Sequence, residues 1–297
     1  NGIGDHESLV PKSTAVSGTA FYYYNNILAA RIADVLGHKI EAEQYRKKAE
    51  VIRDAFNSRF LKEGRVDIAT QACQAFALYM GMAPDDERQR VLDVLVGDVV
   101  NARKGHLTTG IFGTKYMLMA LSDLGRADVA FQIASQKAFP GWGHMIEQGA
   151  TTLWEHWEFS DNTFSYNHPM FGSVSEWFYR VLAGINPAPD ADGFDKIVIQ
   201  PRPVGDITWV DAQYDSARGP VCVKWKCGNS RFQMNMSIPV GVEAAVVPPC
   251  GDVAHVTESG EPISGQKGLS ITTDNPPAIH AGSGTYQFEC RLQTDAK

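Results

Sequence analysis

The feature that most constrains this chain is a change of period near Gly184. Before it, apolar residues recur every three or four positions. Tyr45, Ala49, Ile52, Phe56 and Phe60 draw one stripe; Leu28, Ile32 and Val35 draw another, which Gly37 ends. After it, apolar and polar residues alternate in short runs such as Val221-Cys222-Val223-Lys224-Trp225 and Phe232-Gln233-Met234-Asn235-Met236. A spacing of three to four lines one face of a helix, and strict alternation lines one face of a strand. One kind of element cannot satisfy both, so the chain divides into a helical part and a β part. The Pro-rich run Asn186-Pro187-Ala188-Pro189-Asp190 marks the join, which predicts domains over 1–185 and 186–297.

Within the first part, Asp85 and Asp86 follow Pro84 at a helix start, with Val91, Leu92, Leu95 and Val99 on one face. Further helices are predicted near 67–80, 113–124, 126–137 and 172–183. That makes about seven helices with short, often Gly-containing links, the pattern of stacked helical hairpins. In the second part, Lys196 to Ile199, Ala244 to Val247 and Tyr286 to Leu292 add strands to the two above. Gly219-Pro220, Gly228-Asn229 and Pro248-Pro249 punctuate them, which predicts an antiparallel β-sandwich. No repeat of fixed period supports a solenoid.

Charge and composition narrow the function. The 27 basic and 34 acidic residues leave a net charge of −7, which argues against a general binder of nucleic-acid phosphates. No apolar run has the length of a membrane-spanning helix. Five scattered cysteines, Cys73, Cys222, Cys227, Cys250 and Cys290, define no disulfide framework and read as small buried hydrophobes. The opening Asn1-Gly2-Ile3-Gly4-Asp5-His6 lacks an initiator Met and the basic and apolar regions of a signal peptide. It reads as the interior of a longer chain and leaves the compartment unassigned.

The densest chemistry lies between Gly141 and Glu158, where three Trp, two His and three Glu fall within eighteen residues. A carboxylate beside indole rings suits a sugar-hydrolysing site, because aromatic faces cover the apolar side of a pyranose while the carboxylate moves a proton. The plainer alternative is a helix start whose Trp rings fill a core. Ser165 to Ser173 offers Asn167 and His168 on a loop entering a helix, placed either to bond sugar hydroxyls or to cap that helix. Gly105-His106-Leu107-Thr108-Thr109-Gly110 is a third loop of this kind. His144 and Glu147 stand one helical turn apart, yet no HExxH or paired Cys/His spacing predicts a metal, and no EF-hand loop is present. Gly-x-Ser-x-Gly and phosphate-loop patterns are absent as well, so no cofactor is predicted.

Ala150-Thr151-Thr152-Leu153-Trp154-Glu155-His156-Trp157, followed by Asn167-His168-Pro169-Met170-Phe171-Gly172-Ser173, closely resembles the bacterial α-L-rhamnosidases of glycoside hydrolase family 78. His106-Leu107-Thr108-Thr109-Gly110, Gly193-Phe194-Asp195-Lys196-Ile197 and Pro201-Arg202-Pro203 are similar to that family in the same order. The resemblance implies a partial (α/α)6 six-hairpin barrel followed by an antiparallel β-sandwich. It also implies removal of terminal α-linked L-rhamnose with inversion, by two carboxyl groups about 6.5–9.5 Å apart. By resemblance Glu155 is the general base, His168 contacts the sugar, Trp157 walls the pocket and Thr152 orients the loop backbone. Gly4-Asp5 matches a Gly-Asp-Trp element whose aromatic lines the rhamnose site, so Asp5 and His6 fall among the substrate contacts, with His6 in the aromatic's place.

The family's general acid lies upstream of that element, so the resemblance implies that this chain carries the base without the acid. Asp85-Asp86-Glu87-Arg88 looks superficially like the acidic motif but reads as solvated charge at a helix start. Fewer helices than a complete barrel requires also predict an open edge, and with it homo-oligomers or low stability. The expected partner is a rhamnose-containing oligosaccharide or glycoside, with no nucleic acid and no membrane. Two alternatives stand beside this: a six-hairpin glycosidase of another specificity using Glu147 or Glu158 as acid, and a non-catalytic sugar-binding or assembly fragment.

Overall fold

The computed structural model describes residues 3–160, 165–272 and 276–292, in two compact units, Asn1–Val174 and Ser175–Lys297. In the first unit, α1 (Thr14–Val35) and α2 (Lys39–Phe60) form a hairpin across a three-residue turn. A short ribbon, β1 (Leu61–Lys62) with β2 (Arg65–Val66), leads to α3 (Gln71–Tyr79). Then come α4 (Asp85–Gly97), α5 (Ile111–Asp123), α6 (Ala127–Ala134) and α7 (Trp142–Glu147). The central pair is α3 on α5, flanked by α4 and α6. Ser13 and Thr70 cap α1 and α3 with their hydroxyls, accepting from the N–H of Val16 and Cys73. Almost all of α3 is buried.

The stripe Leu28, Ile32 and Val35 does not face a core. Helix α1 buries Val16, Ala20, Tyr23, Ala30 and Ala33, while Ile32 is 60% and Val35 86% exposed. On α2 the buried positions are Ala42, Ala49 and Phe56; Tyr45 from the expected stripe is exposed. Small residues let α1 and α2 approach closely, and the larger apolar side chains are left on the outer faces.

The helix α8 (Ser173–Trp177) continues as a π-helical turn, Phe178–Leu182. The second unit follows with β3 (Ile185–Pro187), β4 (Lys196–Ile199), β5 (Trp209–Ser216), β6 (Gly219–Gly228), β7 (Arg231–Ile238) and β8 (Glu243–Val246). Five more strands complete it: β9 (Thr257–Glu258), β10 (Glu261–Pro262), β11 (Leu269–Ile271), β12 (Ile279–Ala281) and β13 (Gly284–Arg291). Their order is β10-β9-β13-β7-β6-β5 in one sheet and β11-β12-β8-β4-β3 in the other. The described pairings are antiparallel except β4 with β8, which run parallel. Val223, Trp225, Phe232, Met234 and Phe288 from the larger sheet meet Ile197, Ile199, Val246 and Ile279 from the smaller in one apolar core. Alternate residues of β7 point into it, as the two-residue period requires.

Candidate active site

The site is built in the helical unit from residues 4–9, residues 107–110 with the first turn of α5, and residues 153–160 and 165–168. Its organising contact is a borrowed helix cap. The first N–H groups of α5 need acceptors, yet Gly110 before it has no side chain to offer. A Cβ there would meet the His6 carbonyl oxygen at 1.8 Å, so only glycine allows the approach. The acceptor comes instead from Asp5, whose buried carboxylate takes the N–H of Gly110 (2.8 Å), Phe112 (3.1 Å) and Gly113 (2.8 Å). Burial pushes this carboxyl above the ordinary carboxylate value, while the three N–H groups and Lys12 pull it back. Asp5 therefore acts as a cap for α5 in this structure, with both oxygens engaged by the protein.

The same strip fixes its neighbours. Ile111 donates its N–H to the His6 carbonyl (2.8 Å), and Leu9 donates to the Thr108 carbonyl (3.0 Å). Thr108 in turn donates its N–H to the buried Gln71 side chain (2.7 Å), whose amide nitrogen reaches Asp98 (2.8 Å). Thr109 accepts the Trp157 indole N–H on its carbonyl (2.8 Å). Trp157 is 1% exposed, with Phe171 3.8 Å and Trp142 5.2 Å away between ring centres. Its ring is thus packed inside the unit against those two rings. Trp142 and Trp154 are also buried.

Glu155 lies on a backbone clasp. Its N–H donates to the Ser165 carbonyl (3.0 Å), His168 donates its N–H to the Leu153 carbonyl (2.8 Å), and the Thr152 hydroxyl donates to the Tyr166 carbonyl. The Thr152 bond agrees with a loop-orienting role. His168 Nδ1 accepts the Met170 N–H (3.4 Å), so it caps the short helical turn at 169–172, and a neutral ring then carries its proton on Nε2.

Four side chains converge beside this clasp. Glu155 Oε1 is 3.5 Å from His6 Nε2, the same nitrogen is 3.4 Å from Glu7 Oε1, and Glu7 Oε2 pairs with His156 Nδ1. The Glu155 side chain is 13% exposed and His6 34%, so the group is sheltered yet reachable. His156 Nε2 is buried without a hydrogen-bond partner. Glu7 has φ 61°, a left-handed backbone that non-glycine residues rarely hold unless their surroundings demand it.

Sequence reasoning brought Glu155 and His6 to the site but missed Glu7 and any part for His156. Nothing in local spacing links residue 7 to residue 156. Glu147 and Glu158 stand exposed, and Asp85 lies exposed at the start of α4, paired with Arg88 at 3.2 Å. Among the described residues, no group of three or more His, Cys, Asp and Glu could hold a metal ion. Nor is any described helix long and apolar enough to cross a membrane.

Comparison with known proteins gives a consistent picture. Residues 4–182 match the family described as the bacterial alpha-L-rhamnosidase 6 hairpin glycosidase domain, and 184–261 match the bacterial alpha-L-rhamnosidase C-terminal domain. An alpha-L-rhamnosidase of Streptomyces avermitilis is 34% identical over 283 residues, covering 92% of this chain and 26% of that protein. One from Formosa agariphila is 28% identical over 291 residues, covering 94% of this chain and 31% of that protein. The chain thus spans between a quarter and a third of the length of these relatives. Among solved structures, the alpha-L-rhamnosidase of Dictyoglumus thermophilum superposes with TM-score 0.87 at 36% identity, over 97% of this chain and 34% of that one. The Streptomyces avermitilis enzyme complexed with L-rhamnose gives TM-score 0.88 at 32% identity, over 98% of this chain and 28% of that one.

Proposed function

The chain belongs to the bacterial α-L-rhamnosidase six-hairpin family, and on that footing we propose that its helical unit supplies the water-activating half of a site that hydrolyses terminal α-L-rhamnosides. Glu155 is the general base. The observation that carries this is the sheltered Glu155 carboxylate on a doubly bonded clasp with the Trp157 ring buried beside it. A base must be held still relative to the water it deprotonates, and this clasp provides that. His168, with its Nδ1 occupied by the Met170 N–H, presents Nε2–H to a sugar hydroxyl. Asp5 contributes through the loop it caps. The reaction inverts the anomeric carbon, and the proton-donating carboxyl comes from outside these residues. In support, Glu147, Glu158 and Asp85 are solvated rather than sheltered.

This division of labour is testable with the chain as it is. An aryl rhamnoside with a weakly basic leaving group, such as 4-nitrophenol, departs without being protonated and so needs only the base. The expected outcome is slow turnover of 4-nitrophenyl α-L-rhamnoside, lowered by about 10²-fold or more in Glu155→Gln. Proton NMR of the first sugar released should show the β anomer. Turnover that Glu155→Gln leaves intact refutes the base assignment, and α anomer as first product refutes inversion.

A further inference from the structure

We propose that His6 is a positioning residue for Glu155, held in place by Glu7 and His156, so that the base is oriented by a polar imidazole. The geometry is an alternating row: carboxylate (Glu155), imidazole (His6), carboxylate (Glu7), imidazole (His156). His6 Nε2 sits 3.5 Å from Glu155 Oε1 and 3.4 Å from Glu7 Oε1. That nitrogen lies within ion-pair distance of both acids, so the imidazole separates two carboxylates that would otherwise face each other across the gap. It engages one oxygen of Glu155 and leaves the other for a water molecule.

Several independent constraints aim the ring. The His6 carbonyl is fixed by the Ile111 N–H at 2.8 Å and lies against Gly110, where no side chain fits. The preceding residue is locked by three backbone donors through Asp5. The following residue, Glu7, is held at φ 61°, and its second oxygen is taken by His156 Nδ1. His156 is the chain neighbour of Glu155, so the row closes back onto the clasp that carries the base. A non-glycine residue kept in a left-handed conformation on one side of a functional group, with a residue locked by three donors on the other, indicates surroundings that over-determine it. The buried, unpartnered His156 Nε2 agrees: its ring is oriented by Glu7 rather than by the satisfaction of both nitrogens.

The kinetic arm of the test rests on the rhamnoside-hydrolysing reading; the spectroscopic arm does not. Ring-nitrogen NMR of the folded chain should show the His6 resonances move in Glu155→Gln, and those of both His6 and His156 move in Glu7→Gln. In turnover of 4-nitrophenyl α-L-rhamnoside, His6→Phe should lower kcat about tenfold or more, with KM changed by no more than about twofold. His6→Gln, whose amide nitrogen reaches the place of Nε2, should restore most of kcat. An aromatic that merely walled a pocket predicts the reverse order, with Phe better than Gln. His6 nitrogens unmoved by Glu155→Gln, or kcat undiminished in His6→Phe, overturn the proposal. A chain that is inactive on the rhamnoside, but whose His6 nitrogens respond to Glu155→Gln, upholds the pairing and counts against the hydrolytic reading.

Discussion

The two units bury different things. The core of the β unit is apolar throughout: Trp225, Phe232, Met234, Phe288 and the isoleucines of the facing sheet. The buried polar residues among those described, namely Asp5, Ser17, Asn26, Gln71, Gln74, Thr108, Thr109, Thr114 and Ser122, all fall in the helical unit. A buried polar group is tolerated only where partners are provided for it, so it fixes geometry in a way that apolar contact does not. The sandwich is held by area and shape. The helical unit is held partly by an addressed network, and that network ends at Glu155.

If this contrast is right, the largest loss of stability comes from removing volume in the sandwich. Phe232→Ala should destabilise the β unit by about 3–5 kcal/mol, read from denaturant unfolding, because a fully buried ring leaves a cavity among rigid neighbours. A loss below about 1 kcal/mol would break the comparison from that side.

In the helical unit the corresponding change is one of charge rather than volume. Asp5→Asn keeps the shape but turns an NH2 group toward backbone donors, and should destabilise by about 2 kcal/mol. Its pH dependence has a defined sign. Because burial raises the folded-state value of this carboxyl, its stabilising contribution is fully present below the unfolded value and is lost as pH rises through the folded one. The gap between the parent chain and Asp5→Asn should therefore be widest in acid and narrow as pH climbs. A gap that widens with pH would mean that the three N–H donors outweigh burial.

The smallest effect on stability belongs to the outer faces of α1 and α2. Val35, Leu36 and Ile40 are 86%, 65% and 74% exposed. We propose that copies of this chain associate through these exposed apolar residues. Sedimentation should then depend on concentration. Val35→Lys with Ile40→Lys should abolish that dependence while changing stability by no more than about 0.5 kcal/mol. A monomer at all concentrations would remove these residues from the comparison.

The sequence disclosed these units unequally. The period change revealed both kinds of structure, and strands β6, β7 and β13 were legible because each alternates against an apolar core. Strand β5 was not. Its residues do alternate, Val210, Ala212 and Tyr214 against Asp211, Gln213 and Asp215, but it lies at the edge of its sheet and buries no residue fully, so the signal is weak. Leu28, Ile32 and Val35 misled for the opposite reason: a helical stripe reports that a face is apolar, not that anything covers it. At the site, Glu155 and His168 were found through motif resemblance. The cap from Asp5 was illegible because the N–H groups it accepts from lie more than a hundred residues away. Glu7 and His156 were hidden in the same way, as their pairing exists only once the chain has folded.

The borrowed cap also sets an order of events. Residues 4–9 join the unit through contacts such as Asp5 with Gly110, which closes a loop of 105 residues. By contrast, the α1–α2 hairpin and the link between α3 and α4 close over short spans. Loop closure is slower the farther apart its ends lie along the chain. Helix pairing therefore comes first, and the strip carrying Asp5, His6 and Glu7 docks onto it late. An intermediate with native helices would give a native far-ultraviolet circular dichroism spectrum while Glu155 still lacked its partner. Recovery of regular structure during refolding should thus run ahead of recovery of the site.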